Sequence, residues 1–228
     1  TPKPSSAASD VYKRQVLSGH SLSAQLKSHI DNKAEVTLYL TEVADARAYG
    51  CVELAADNRV KSFLEKMENP VSNLINAGCY IFNRNIIDSI PKDQVISVER
   101  DTFPSLLNAG AKVYGFIDNS YWLDIGTPAA LVKASADLVT GVIKSSATLE
   151  HTGDKIISSS AVIDSSAVIN NGTVIEGEVV VESNTQISGS IIGKGAKIGK
   201  NCRIIDSIIA PGTQIDAGMV IISNYLGF

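Results

Sequence analysis

Two stretches concentrate the side chains that could do chemistry on a charged substrate. FLEKMENP (63–70) sets a carboxylate beside an ammonium, Glu65 and Lys66. A carboxylate can order hydroxyl groups, and a lysine can neutralise a phosphate. The same pair also reads as an ordinary solvated ion pair before a loop, worth little by itself. YWLDIGTP (121–128) places Asp124 in a tight strand-to-helix transition. Such transitions are where the carboxyl end of a sheet strand opens into a crevice. An Asp there either offers a hard oxygen to a cation or caps the turn before Thr127 and Pro128. NLINAGCYIF (73–82) holds Asn76 and Gly78. Gly78 either permits close backbone approach to a ligand or marks a bulge in a buried strand. Gly50, in RAYGCVEL (47–54), reads as a turn before a strand.

The totals narrow the classes. The 228 residues are 44% hydrophobic and 19% charged, a globular composition with room for a sizeable core. The net charge of -4 is small, and no basic stretch points to nucleic acid. No apolar run approaches the ~20 residues of a membrane helix. The N-terminus has no apolar segment of a secretory signal. A cytoplasmic protein is the expectation. The three cysteines, Cys51, Cys79 and Cys202, show no zinc or redox spacing. Cys51 and Cys79 sit in apolar runs and are expected to be buried thiols.

The elements that must position these residues fall into two halves. From Ala34 to about Gly141 strands and helices mix. AEVTLYLTEV alternates well enough for a strand. GCVELAADNRVKSFLEK reads as strand, Asp-Asn turn, strand. NLINAGCYIFN is a buried strand, and AKVYGFIDNSYWLDIG holds two short ones. TPAALVKASADLVTG is a helix with Thr127 as cap, Pro128 in the first turn, Leu131, Ala134 and Leu138 on one face, and Gly141 closing it.

From about Ile157 the apolar period becomes six. Ile163, Ile169, Ile175, Val181 and Ile187 fall six apart. Five-residue steps then lead to Ile192 and, after Ile198 and Ile204, to Ile209, Ile215 and Ile221. Small or apolar residues follow most of these four positions later (Ala167, Thr173, Val179, Thr185, Ala196, Cys202, Thr213). Neither an α-helix nor a plain strand holds that spacing. A parallel β-helix does, each repeat forming one flat face. A Val/Ile-rich antiparallel sandwich is the competing fold.

VLSGH (16–20), RAYGCVEL, FLEKMENP, NLINAGCYIF, ISVERDTFP (96–104) and YWLDIGTP together resemble the sugar-nucleotide pyrophosphorylases. Within these they look most like the two-domain mannose-1-phosphate guanylyltransferases. The resemblance implies an α/β fold: the C-terminal part of a Rossmann-like nucleotidyltransferase domain over 16–141, a linker over 142–156, and a left-handed β-helix over 157–228. It implies a reaction in which a nucleoside triphosphate and a hexose 1-phosphate give a nucleotide sugar and pyrophosphate, with GTP and mannose 1-phosphate favoured. Magnesium would be the cofactor. Residue by residue, it implies that Glu65 meets sugar hydroxyls and Lys66 the sugar phosphate. Asn76, Gly78 and the Gly50 backbone would line the sugar pocket, and Asp124 would hold the metal. Met67 stands where the family usually has Pro. Glu99 is expected to be structural, holding the active-site end of a helix, and Trp122 to be packing. Assembly of like chains through the β-helix is implied as well.

Two features depart from the family pattern. The second magnesium carboxylate belongs to a Gly-Asp pair just before VLSGH, where Arg14 and Gln15 stand here. The glycine-rich phosphate loop is absent. SSAASDVYKRQ back-translates to a transposon-derived sequencing adaptor, so residues 1–15 are expected to be an artefact and the chain a truncated, inactive fragment with exposed apolar sheet edges. The competing readings are a regulatory or scaffold subunit that has lost catalysis, and a β-helix acyltransferase using His151. His20 and His29 are expected to be surface or structural.

Overall fold

The computed structural model describes residues 15–64, 68–145 and 153–227. The chain divides into two compact units. Residues 18–122 form the body of the first, and 123–228 with 15–17 the second.

The first unit is a mixed α/β body. Its elements include α1 (Leu22–Asp31), β2 (Val36–Glu42), β3 (Cys51–Leu54), β4 (Val60–Leu64), β5 (Leu74–Phe82), α2 (Arg84–Ser89), a π-helical turn (Val98–Thr102), α3 (Phe103–Asn108) and β6 (Val113–Ile117). Five strands pair in the order β4-β3-β5-β2-β6. β2 runs parallel to β6 and antiparallel to β5. Strand β1 (Val16–Ser18) pairs separately with β7 (Trp122–Asp124).

β2 is buried on both faces. Val36, Leu38 and Leu40 join Val52, Phe63, Phe103 and Val113 in one core. Thr37 and Tyr39 face the other way and are equally buried. The apolar-polar alternation of this strand therefore separates two interiors, not core from solvent. On α1, buried His29 closes that second interior: Nε2 donates to Asn83 Oδ1 (3.1 Å), and Nδ1 meets the Thr37 hydroxyl (2.8 Å). This makes His29 structural. His20 stacks on Tyr39 with ring centroids 4.1 Å apart. Leu22, Leu26 and Ile30 leave an exposed apolar stripe along α1. Cys51 is buried as expected, whereas Cys79 is only half-buried.

The start of α1 is capped twice. Ser21 Oγ accepts from the Ala24 N–H, and Asp118 Oδ2 accepts from the Ser21 N–H (3.2 Å). Burial works against the Asp118 charge, but hydrogen bonds from Ser120 and the Ser21 N–H, with His20 nearby, hold its pKa below the ordinary value. A depressed carboxylate stabilises the fold above its unfolded pKa, and that contribution disappears as pH falls through the folded value. Asp118→Asn should therefore flatten the acid limb of a plot of Tm against pH, below about pH 4. An acid limb as steep as that of the wild type would contradict this.

The second unit is a parallel β-helix with a helix laid on one face. Its ladders contain four, five and four strands. Val168 stands beside Gln186, eighteen residues on, and Gln186 beside Arg203, seventeen on. The inward positions are those of the six-residue pattern, and Ile169, Ile175, Val181, Ile187, Ile192, Ile198, Ile204, Ile209, Ile215 and Ile221 are all buried. Thr173, Val179, Thr185, Ala196 and Cys202 fill the corners. Each buried isoleucine contributes about 1.5–3 kcal/mol of transfer free energy. The change in coil length has a visible origin. The longer corner uses two left-handed residues, Asn171 and Gly172, while later corners at Gly189, Asp206 and Ser223 use one.

Helix α4 (Pro128–Val139) has the expected punctuation. Thr127 Oγ1 accepts from the Ala130 N–H, and Gly141 turns out at φ 78°. Its buried side differs from the expected face: Val132, Ala134 and Val139 are buried, and Leu131 is 44% exposed. The helix lies on the coil strand Thr173–Ile175, so Val132 and Ala136 turn toward the coil and the Leu131 side toward solvent.

Candidate functional site

The chemistry-bearing residues of the first unit converge on an irregularity in β5. Leu38 pairs with Tyr80 and Leu40 with Asn76, so Tyr39 alone stands opposite Ala77, Gly78 and Cys79. Three residues against one make a bulge, and Gly78 sits at its centre with φ 90° and is exposed. Left-handed φ at that point is a glycine conformation. Both sequence readings of Gly78 thus describe the same place, a bulge that brings bare backbone to the surface.

Asn76 begins the bulge. Its Oδ1 accepts from the Gly78 N–H (3.2 Å), and its own N–H donates to Gly50 O (2.9 Å). Its amide nitrogen donates to Glu99 Oε1 (2.9 Å) and lies 2.5 Å from Tyr80 OH, which also donates to Glu99 Oε1 (3.1 Å). Burial first, then the Glu99 charge, pushes the Tyr80 pKa up, so the phenol stays a donor. Glu99 belongs to the Val98–Thr102 turn, and its carboxylate fixes strand residues. Glu99 is thus structural, as expected, and ties this helical turn to β5 beside the bulge. Two donors and one carboxylate settle the orientation of the Asn76 amide, leaving Oδ1 for Gly78.

Trp122 is packing, as expected, but also a donor. Its Nε1–H donates to Ala77 O (3.1 Å), and its ring meets Tyr49 edge-on at 5.5 Å. From α1, fully buried Gln25 sends Nε2 to Thr37 O and Cys79 O, both at 3.3 Å. The structure therefore brings Gly50, Asn76 and Gly78 together. Glu65 and Lys66 lie outside the described residues. Tyr80, Trp122 and Gln25 escaped sequence reasoning as part of this cluster. Tyr80 is four residues from Asn76 on the same strand, a signal that was present. Gln25 lies 54 residues from Cys79, and nothing in its local pattern announces the contact.

Asp124 belongs to the second unit. It is exposed, and Oδ1 accepts from the Gly126 N–H (2.9 Å). The turn-capping reading is thus correct for one oxygen, while Thr127 caps the helix itself. Beside it stands Gln15, whose carbonyl oxygen accepts from the Ile125 N–H (2.8 Å). A Cβ placed on Gly126 would lie 3.0 Å from Asp124 Oδ1 and 3.3 Å from Gln15 Oε1, so the two side-chain oxygens flank one point. Among the described residues no group of three or more His, Cys, Asp or Glu side chains gathers to hold a metal. The donors on offer are one exposed carboxylate and one neighbouring amide oxygen. That set fits a hard cation that keeps most of its ligands as water or phosphate.

The comparisons agree with this anatomy. The Nucleotidyl transferase family matches residues 8–141, and the family described as GlmU-like, C-terminal hexapeptide matches residues 136–225. The mannose-1-phosphate guanylyltransferase of Mycobacterium tuberculosis is 49% identical over 152 residues, which are 66% of this chain and 42% of that protein. The probable mannose-1-phosphate guanylyltransferase 3 of Arabidopsis thaliana is 30% identical over 67% of this chain and 46% of its own length. The mannose-1-phosphate guanyltransferase of Yarrowia lipolytica is 38% identical over 44% of this chain and 27% of its own. The chain thus spans less than half the length of these relatives. With the family matched over more than half of its residues, and the strand, bulge and Asp124 turn in place, this chain belongs to the nucleotidyl transferase family.

Proposed function

We propose that this chain is the hexose 1-phosphate side of a nucleotidyltransferase that makes GDP-mannose from GTP and mannose 1-phosphate. The observation that carries the proposal is the β5 bulge, where Gly50, Asn76 and Gly78 meet at the surface. The names of its relatives supply the substrate pair. In the reaction a phosphate oxygen of the sugar attacks the α-phosphorus of the triphosphate, and the bond to pyrophosphate breaks. No protein nucleophile is needed; positioning and charge neutralisation carry the catalysis.

The residues divide the work by type. The Gly78 backbone and Asn76 form a ledge for the sugar, and Gly50 closes its edge. Glu65 accepts from sugar hydroxyls, and Lys66 neutralises the sugar phosphate. Asp124 would hold magnesium through the oxygen not engaged by Gly126, and the ion would supply charge neutralisation at the meeting phosphates. A cytoplasmic setting and self-association through the β-helix belong to the same proposal.

Gln15 favours a second component of this reading: the 228-residue chain binds the sugar phosphate but does not turn it over. An amide oxygen flanks Asp124 where the family places a carboxylate. In a pyrophosphate-release assay with GTP, mannose 1-phosphate and magnesium, the chain should give no turnover. Release at enzymic rates would overturn that component. The same neighbourhood predicts the effect of Gln15→Asp. Replacing a neutral oxygen by a charged one beside Asp124 should tighten Mn²⁺ or Mg²⁺ binding by about tenfold, or ~1.4 kcal/mol. Calorimetric titration reads this directly, and an unchanged affinity would separate Gln15 from the cation site.

A further inference from the structure

Ala77 and Cys79 have no register partner on β2, and their carbonyls are taken up by side chains from elsewhere in the first unit. Gln25 reaches from α1 and donates to Cys79 O in the bulge of β5 and to Thr37 O on β2, where Thr37 still pairs with Ile81, so it ties the bulge to the regular ladder beside it. Cys79 Sγ in turn points at Gln25 Oε1 (3.5 Å). Trp122 donates to Ala77 O from the other end of the bulge, and its ring packs on Tyr49, the neighbour of Gly50.

A fully buried glutamine is an unusual choice for a helix position facing a sheet, since Leu or Met would pack there without a polar group to satisfy. The two carbonyls explain it. Without these donors the strand would gain by closing into a regular ladder, and that two-residue change of register would carry Asn76 from opposite Leu40 to opposite Glu42, away from its present partners. We infer that Gln25 and Trp122 are positioning residues for hexose 1-phosphate, clamping the Ala77–Cys79 bulge in the shape that offers Asn76 and Gly78 to the sugar. The inference rests on the nucleotidyl-transfer reading above and adds two residues that act through the bulge.

Trp122 is the only tryptophan in the chain, so its emission reports on the clamp. The test titrates mannose 1-phosphate into the full chain and follows both heat and Trp122 fluorescence. Gln25→Met keeps the volume and removes the donors. It should weaken binding by about tenfold and shift the emission of the free protein, at a temperature where both proteins are fully folded. Trp122→Phe keeps an aromatic ring near Tyr49 and removes the N–H together with part of the ring volume. By calorimetry it should weaken binding by about fivefold. Ile169→Val, in the β-helix, should lower Tm without moving the affinity. Wild-type affinity in both clamp variants overturns the inference while leaving the functional reading intact. If Gln25→Met fails to fold, Trp122→Phe decides alone. Absence of any binding by the wild type sinks the functional reading, and the inference with it.

Discussion

Gly172→Ala should cost the protein about 2–5 kcal/mol, more than alanine at another left-handed glycine of the same β-helix. Gly172 is the extra residue of the longer corner, with φ 77°. A Cβ there would stand 2.6 Å from Ala136 Cα and 2.8 Å from Ala136 Cβ and O. These are backbone and first side-chain atoms of α4, so no rotamer change relieves the contact. The helix must lift from the coil or the corner must distort. Gly195 is the control. It has φ 70°, and nothing lies within 4 Å of its Cβ position. Gly195→Ala carries only the left-handed strain of about 1–2 kcal/mol. Denaturant unfolding of both variants measures the difference. Equal losses would mean that α4 is not held on the coil by this contact.

Asn76→Asp should abolish most mannose 1-phosphate binding at pH 8 and regain part of it toward pH 5. The substitution keeps shape and replaces an amide donor by a carboxylate 2.9 Å from Glu99 Oε1. Two carboxylates at that distance cannot both ionise, so one pKa of the pair rises. A raised carboxylate pKa means the extra penalty is absent while the shared proton is held and appears as pH rises through that value. Below it, a protonated Asp can still donate to Glu99. At pH 8 the site loses a hydrogen bond to a charged group, worth about 1.5–3 kcal/mol, or roughly 10- to 100-fold in affinity. The ligand's own phosphate titrates in this range, so each variant value is read against wild type at the same pH. A pH-independent ratio near one would show that Glu99 does not govern the Asn76 amide.

How much of this was legible in the sequence depends on the range of the contact. The β-helix was legible because its signal is local and repeated: each inward isoleucine stacks on its equivalent one coil away. Even the five-residue steps at Ile187–Ile192 and Ile204–Ile209 correspond to corners with one left-handed residue. The Asp57–Asn58 turn between β3 and β4, with Asn58 at φ 65°, and the cap and stop of α4 are local too. The face of α4 was misread because the helix packs on the outside of a coil, which no helical period of its own specifies. The site was half legible. Asn76, Gly78 and Gly50 share a motif neighbourhood, and their types suit a ligand. Gln25 and the role of Glu99 were hidden, since their partners lie 54 and 23 residues away and follow no period. The placement of Gln15 beside Asp124 required the pairing of β1 with β7, two short strands far apart in sequence that no local pattern links.

The most direct measurement is equilibrium binding of mannose 1-phosphate to the full chain by calorimetry, with inorganic phosphate as comparison. The account predicts saturable binding at one site, tighter for the sugar phosphate than for phosphate alone, because the bulge reads the sugar. No binding, or equal affinity for phosphate and mannose 1-phosphate, would contradict it.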